Sequence, residues 1–143
     1  MSTGRLRLGV VGAGQVSQLC HVAPLLQDPR CLIVALADLR EELCRVVAEE
    51  HGIPSIYPSH RALLDAEDVD AMVVVTNRPA TGAVVRDCLD ARRSVFCEKP
   101  MGHSVAQATE LADLAQERGM SLFVGYMKRH DPGVVRMRAV LDA

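Results

Sequence analysis

The sequence predicts a single α/β domain built on one doubly wound parallel sheet, and three observations carry that expectation. Short runs rich in β-branched residues alternate with segments whose apolar residues recur every three or four positions. One run, residues 71–76 (AMVVVT), is continuously apolar, as strands buried on both faces of a parallel sheet are. A glycine-rich turn, Gly12-Ala13-Gly14, joins the first such run to the first helical segment. Strands linked by crossover helices imply right-handed connections. A chain of 143 residues is long enough to bury one proper core.

The elements follow in order. Leu6–Val11 (LRLGVV) reads as the first strand. A helix over residues 15–27 follows, with Val16, Leu19, Cys20 and Ala23 on one apolar face and Pro24 expected to kink or split it near its end. Cys31–Ala37 (CLIVALA) is the second strand, and the next helix places Leu39, Leu43, Val46 and Val47 on one side before stopping near Gly52. A short strand over residues 53–57 leads to a small helix capped by Ser59. After strand 71–76, a helix following Pro79 turns Val84, Val85, Cys88 and Leu89 inward. Ser94–Cys97 is the fifth strand. Ser104 and Gln107 match a capping box for a helix whose face is Val105, Ala108, Leu111, Ala112 and Ala115, with Gly119 as its C-terminal stop. Residues 122–125 form the sixth strand, and a last helical segment starts near Pro132.

Composition narrows the function classes. Hydrophobic residues make up 49% and aromatic ones 3%, so Val, Ala and Leu carry the packing of a compact domain. A net charge of −2 gives no general field for nucleic acid or an anionic membrane, and no stretch approaches the roughly 20 apolar residues of a membrane helix. Neither is expected as a partner. Cys20, Cys31, Cys44, Cys88 and Cys97 are odd in number and form no C-x-x-C, which points to small buried thiols in a reducing cytoplasm rather than disulfides or a metal site. The polar start of the chain, residues 1–7, has no signal-peptide core.

The chemistry begins at the glycine turn. Gly12 permits the tight bend, Gly14 lets the backbone approach a diphosphate, and the amides of Gln15 and Val16 open the helix whose dipole favours negative charge. Ser17 stands at the third small position of the G-x-G-x-x-G pattern, a departure that still allows close helix–strand packing. Asp38 ends the second strand about 20 residues further on, where a carboxylate binds the adenosine ribose hydroxyls. It is also placed to cap the helix that follows. The fold expected on these grounds is the Rossmann dinucleotide-binding fold, with strand order 3-2-1-4-5-6. An acid at this position disfavours a 2′-phosphate, so NAD is the expected cofactor. Arg40, two residues on, keeps NADP open by offering a phosphate partner, or stacks on adenine, or is simply a solvated helix residue.

Cys97-Glu98-Lys99-Pro100, taken with GVVGAGQVSQ (residues 9–18), TNRP (76–79) and GYMKRHDP (125–132), resembles the N-terminal domain of the Gfo/Idh/MocA oxidoreductases over essentially the whole chain. The resemblance implies NAD(P)-dependent hydride transfer on sugars, inositols or related small alcohols and carbonyl compounds. It implies that Lys99 lies beside the nicotinamide as part of the cofactor site, bonds the reacting oxygen and assists proton transfer, that Glu98 holds the nicotinamide ribose, and that the Lys99–Pro100 peptide is cis. Glu98 and Lys99 would otherwise be a solvated ion pair, but they stand at the C-terminal end of a strand, where ligands bind in such sheets. After the fourth strand the family commonly reads T-P with a histidine a few residues later. Here Asn77 replaces that proline, and Thr81 and Gly82 stand where the histidine would fall, while Thr76 and Asn77 remain candidates to line the cofactor groove. His21 and His103 read as structural or solvated, and Arg129 and His130 as candidate substrate-side residues.

The resemblance divides the chain into an NAD(P)-binding domain, residues 1–126, and a connecting segment and helix, residues 127–143, leading toward a substrate domain absent from this chain. A small-molecule substrate is then a partner only when a second domain or chain is supplied, and the chain alone is expected to be inactive. The apolar surface left for that domain favours self-association, so a homo-oligomer is expected. The alternative function is a non-catalytic dinucleotide-binding sensor or regulatory module. An S-adenosylmethionine methyltransferase shares the sheet and the acid after strand two, but its glycine loop differs and E-K-P has no role in it.

Overall fold

A computed structural model describes residues 4–143, so residues 1–3 of the polar N-terminal segment lie outside the described part. Six parallel strands form one sheet in the order β3-β2-β1-β4-β5-β6: β1 Leu6–Val11, β2 Cys31–Ala37, β3 Ser55–Tyr57, β4 Ala71–Val74, β5 Ser94–Cys97 and β6 Leu122–Val124. The helices are α1 over residues 15–27, α2 Glu41–His51, α3 His60–Ala66, α4 Arg78–Asp90, α5 Val105–Arg118 and α6 Pro132–Leu141, with a 3-10 turn at Met127–His130. This is the predicted doubly wound sheet with the predicted strand order.

Alternation along the strands divides the core between the two faces. Leu8, Val10, Ile33, Leu36 and Val73 pack with Val22, Cys44, Val47 and Ile53, which brings α1 and α2 onto one face. Val11, Val34, Met72, Val74 and Val95 pack with Leu63, Val85, Cys88, Leu89 and Leu111, which brings α3, α4 and α5 onto the other. The chain therefore leaves β1 and its neighbour β4 toward opposite faces. The C-terminal ends of these two strands are thus the topological switch point, the crevice at which such sheets bind ligands.

Caps set the helix boundaries as expected. Ser59 Oγ accepts from the Ala62 amide at 3.2 Å, and Ser104 Oγ from that of Gln107 at 3.2 Å. Gln107 Oε1 in turn accepts from the His103 amide at 2.8 Å, one residue before the position a capping box uses. Gly119 ends α5 with φ +68°.

Several expected faces are corrected. On α1, Val16, Leu19 and Cys20 are exposed, and Ser17 and Val22 are the buried residues. Leu39 precedes α2 and is exposed; on α2 itself Val46 faces solvent, while Cys44, Val47 and Ala48 enter the core. On α5, Val105 and Ala112 are exposed and Leu114 packs with Leu111 and Ala115. Pro24 does not end α1, but the α-helical pattern is interrupted just before it, as expected of a kink or split. The helix passes it through a π-helical turn, Gln18–Val22, in which the Ala23 amide reaches back to the Gln18 carbonyl. Proline has no N–H to give the Cys20 carbonyl and its ring would crowd that oxygen, so the helix widens by one residue instead. The thiols are all free, but only Cys44, Cys88 and Cys97 are buried; Cys31 is half-buried and Cys20 exposed. Burial pushes the Cys88 thiol up to about 12 and that of Cys97 to about 11. No helix among the described residues is long and apolar enough to cross a membrane.

One sheet face is only partly covered. The strands β4, β5 and β6 present Ala71, Val73, Phe96 and Phe123 beside Cys20 and Pro24 of α1, lining an apolar cavity of about 470 Å³. The helix α6 buries none of its residues.

Candidate functional site

The loop between β1 and α1 is shaped by its backbone. Gly12 has φ +105°, which side chains rarely adopt, and a Cβ there would run into the Val75 carbonyl. Its amide donates to the Ala37 carbonyl at 2.7 Å, tying the turn to the end of β2. A Cβ on Gly14 would approach only the Arg40 guanidinium, at 3.9 Å, so the space above this residue is open to a ligand. The first helical bond runs from the Gln18 amide to the Gly14 carbonyl at 3.1 Å. The amides of Gln15, Val16 and Ser17 are thus the first-turn donors that a helix leaves without an intrahelical partner. Gln18 Nε2 also donates to the Ala13 carbonyl at 2.8 Å and so braces the loop from within.

Asp38 does not cap α2, which starts at Glu41 with Arg40 in the cap position. Its carboxylate turns to the glycine loop that follows β1 and to Arg40. Oδ2 accepts from the Ala13 amide at 2.8 Å and Oδ1 from the Arg40 amide at 2.9 Å. The Arg40 side chain completes a two-pronged pair, Nε to Oδ1 and Nη2 to Oδ2, each at 3.0 Å. Arg40 is therefore neither free nor simply solvated. The Asp38 side chain is 8% exposed and that of Arg40 63%. Burial alone would raise the Asp38 carboxyl, but the Arg40 guanidinium and the two amides outweigh it and hold the group below the usual range.

At the end of β4, Thr76 Oγ1 and Thr81 Oγ1 lie 3.1 Å apart, and Thr81 Oγ1 donates to the Asn77 carbonyl at 3.1 Å. Asn77 Oδ1 caps α4 by accepting from the Ala80 amide at 3.1 Å, so its oxygen is committed to the backbone.

The E-K-P element continues from β5. The Glu98 amide donates to the Val74 carbonyl at 3.0 Å, extending the ladder one step past Cys97. Glu98 Oε2 accepts from the Lys99 amide at 3.1 Å, and Glu98 Oε1 accepts from His21 Nε2 at 3.0 Å. The Lys99–Pro100 peptide is cis, as the family resemblance implied. Lys99 is exposed and lines a cavity of about 390 Å³ with Gly125, Tyr126, Met127, Lys128 and Arg129. His130 is exposed on the same 3-10 turn without lining that cavity.

The structure thus brings Gly12, Gly14, Gln15, Val16, Asp38 and Arg40 to one end of the crevice and Glu98 and Lys99 to the other. Sequence reasoning missed two residues. Gln18 braces the glycine loop, and His21, read as structural or solvated, pairs with Glu98. The π-helical turn that carries both side chains has no periodicity of its own; its one trace in the sequence is the nearby Pro24. Ser17, at the third small position, is fully buried and its hydroxyl finds no partner among the described residues.

The profile of an oxidoreductase family, Gfo/Idh/MocA with an NAD-binding Rossmann fold, matches residues 6–126. The chain is similar to the trans-1,2-dihydrobenzene-1,2-diol dehydrogenase of Sus scrofa, with 34% identity over 95% of this chain and 41% of that protein. It is also similar to the myo-inositol 2-dehydrogenase of Thermotoga maritima, with 26% identity over 96% of this chain and 41% of that one. Among solved structures, a 3-ketoreductase from Actinomadura kijaniata in complex with NADP and TDP-benzene superposes with a TM-score of 0.89 at 27% identity, covering 97% of this chain and 42% of the reductase. The chain therefore spans about two-fifths of the length of these relatives.

Proposed function

Because this chain belongs to the Gfo/Idh/MocA oxidoreductase family, we propose that it is the cofactor-binding part of an NAD(P)-dependent oxidoreductase acting on a sugar, an inositol or a related small alcohol or carbonyl compound. Residues 1–126 form the proposed binding domain and residues 127–143 the connection to a substrate-binding part. The observation that carries the reading is the shape of the β1–α1 loop: open above Gly14, closed below Gly12, and tied through the Ala13 amide to Asp38. The residues present fit a dinucleotide. The amides of Gln15 and Val16 receive the diphosphate at the positive end of the helix, and Asp38 accepts from the adenosine ribose hydroxyls. Thr76 and Asn77 border the groove between its two ends. Glu98, with carboxylate lone pairs to spare, accepts from the nicotinamide ribose.

The bound nicotinamide supplies the two-electron hydride chemistry. Lys99, facing the cavity beyond the strand ends, takes the proton from the substrate hydroxyl during oxidation and returns it during reduction. NAD is the proposed cofactor, since Asp38 is an anion where a 2′-phosphate would lie. NADP requires Arg40 to leave Asp38 and turn to the phosphate. The relatives named above are dehydrogenases and a reductase, which favours the catalytic reading over a sensor. Titration with NADH and NADPH, followed by nicotinamide fluorescence in a chain that has no Trp, tests the reading. NADH is expected to saturate one site and NADPH to bind at least about tenfold more weakly, one charge-assisted contact being worth that much. Unchanged emission with both coenzymes at millimolar concentration overturns it.

A further inference from the structure

We propose that His21 is a positioning residue for the reaction: it holds Glu98, and through it the start of the Lys99–Pro100 element, in place at the nicotinamide end of the crevice. The inference rests on the dinucleotide-binding reading above and assigns a role to a side chain that reading leaves unused.

The π-helical turn of α1 carries Gln18 and His21, three residues apart and so neighbours on the helix surface. They reach to opposite ends of the crevice. Gln18 Nε2 donates to the Ala13 carbonyl of the glycine loop at 2.8 Å, and His21 Nε2 meets Glu98 Oε1 at 3.0 Å, across a sequence separation of 77. An ionised carboxylate only accepts, so the proton lies on Nε2. The His21 ring packs on Phe96 of β5, with centroids 5.3 Å apart and planes tilted by 56°, which fixes its orientation from below. The two side chains are 12% and 21% exposed, far more enclosed than a surface pair.

The second Glu98 oxygen is taken by the Lys99 amide at 3.1 Å. With one oxygen on the histidine and the other on the backbone, the carboxylate has a single orientation, and its remaining lone pairs point where a ribose hydroxyl is to be met. One widened turn therefore sets both the loop that meets the phosphates and the carboxylate that meets the nicotinamide ribose. A hydrophobic residue at position 21 leaves Glu98 held by one bond and free to turn toward solvent.

The test compares two probes of the same crevice. NADH spans both ends, whereas ADP occupies only the adenosine and phosphate end. His21→Leu is expected to weaken NADH binding by about tenfold, the usual effect of losing one hydrogen bond to a charged group. ADP affinity should stay within about twofold on the same energy scale. His21→Gln, whose terminal amide donates from about the position of Nε2, is expected to restore most of the NADH affinity. Should the leucine variant not fold, His21→Asn replaces it, because its amide reaches only as far as Nδ1. Unchanged NADH affinity, parallel losses of NADH and ADP, or a glutamine variant no better than leucine or asparagine each overturns the role of His21. A wild-type chain that binds neither NADH nor ADP overturns the dinucleotide reading itself, and the two failures are thereby told apart.

Discussion

Replacing Asp38 by Asn probes the tie between the glycine loop and the end of β2 with almost no change in shape. The carboxylate takes the Ala13 amide on Oδ2, the Arg40 amide on Oδ1 and the Arg40 guanidinium on both. Asparagine has one oxygen and one NH2 group, so whichever way it turns, one backbone N–H faces another donor. The orphan is the amide of fully buried Ala13 or that of Arg40, and an amide left facing a donor costs about 1–3 kcal/mol. The guanidinium contacts add little, because Arg40 is largely exposed and solvent screens the pair. A net loss of about 2 kcal/mol lowers the melting temperature of a domain this size by roughly 4–8 °C. Thermal unfolding followed by circular dichroism at pH 7 reads this directly. The pH dependence gives a second check. The folded-state pKa of Asp38 is depressed below its ordinary 3.8, so its contribution is present above that value and is lost as pH falls through the folded pKa. The gap between wild type and variant should therefore narrow below pH 3.8. A drop of less than about 1 °C at pH 7, where 2 kcal/mol is expected, or a gap unchanged to acid pH, refutes the reasoning.

Other substitutions test separate parts of the account. Gly12→Ala must place a side chain at φ +105° against the Val75 carbonyl, and a loss of about 2–5 kcal/mol in urea unfolding is expected, together with loss of NADH binding. Ser17→Ala removes a buried hydroxyl that has no partner among the described residues and is expected to stabilise the fold by about 1 kcal/mol in the same assay. Lys99→Ala alters an exposed side chain, so melting temperature and NADH affinity should hold while turnover is abolished once a substrate-binding part is supplied. The unsubstituted chain by itself is expected not to reduce NAD with myo-inositol or a hexose, and spectrophotometric assay at 340 nm (the usual NADH band) checks this. Phe123, 65% exposed beside the apolar cavity, is expected to drive self-association, so Phe123→Glu should shift sedimentation toward the monomer.

The architecture was legible because the buried strands carry short apolar runs bounded by turn and helix signals. Val73 and Val74 face opposite helix layers, so both positions had to be apolar, and the right-handed crossover rule then leaves few topologies. Helix faces were less legible. On α1 the apolar residues Val16 and Leu19 lie on the outside, while Ser17 is buried because the third position of the glycine motif lies against the sheet. A period of 3.6 also fails across a π-helical turn, which shifts every following residue by about 100°. Leu39 fits the helical spacing yet precedes α2, since β2 gives way to three irregular residues, Asp38, Leu39 and Arg40, held by the Asp38–Arg40 pair. The glycine turn, Asp38 and E-K-P were readable as a site because their chemistry is local to short motifs. The His21–Glu98 contact joins residues 77 apart, and nothing in either neighbourhood of the sequence encodes the other.

Backbone amide chemical shifts of the labelled chain, recorded while NAD+ is added, bear on the proposed crevice without crystal contacts or mutations. The account expects saturable shifts concentrated at Gly12 to Ser17, at Asp38 and Arg40, and at Glu98 and Lys99, with the amides of Leu6 and Phe123 across the sheet unmoved. Shifts confined to the apolar cavity around Phe123, or none at millimolar NAD+, would contradict it.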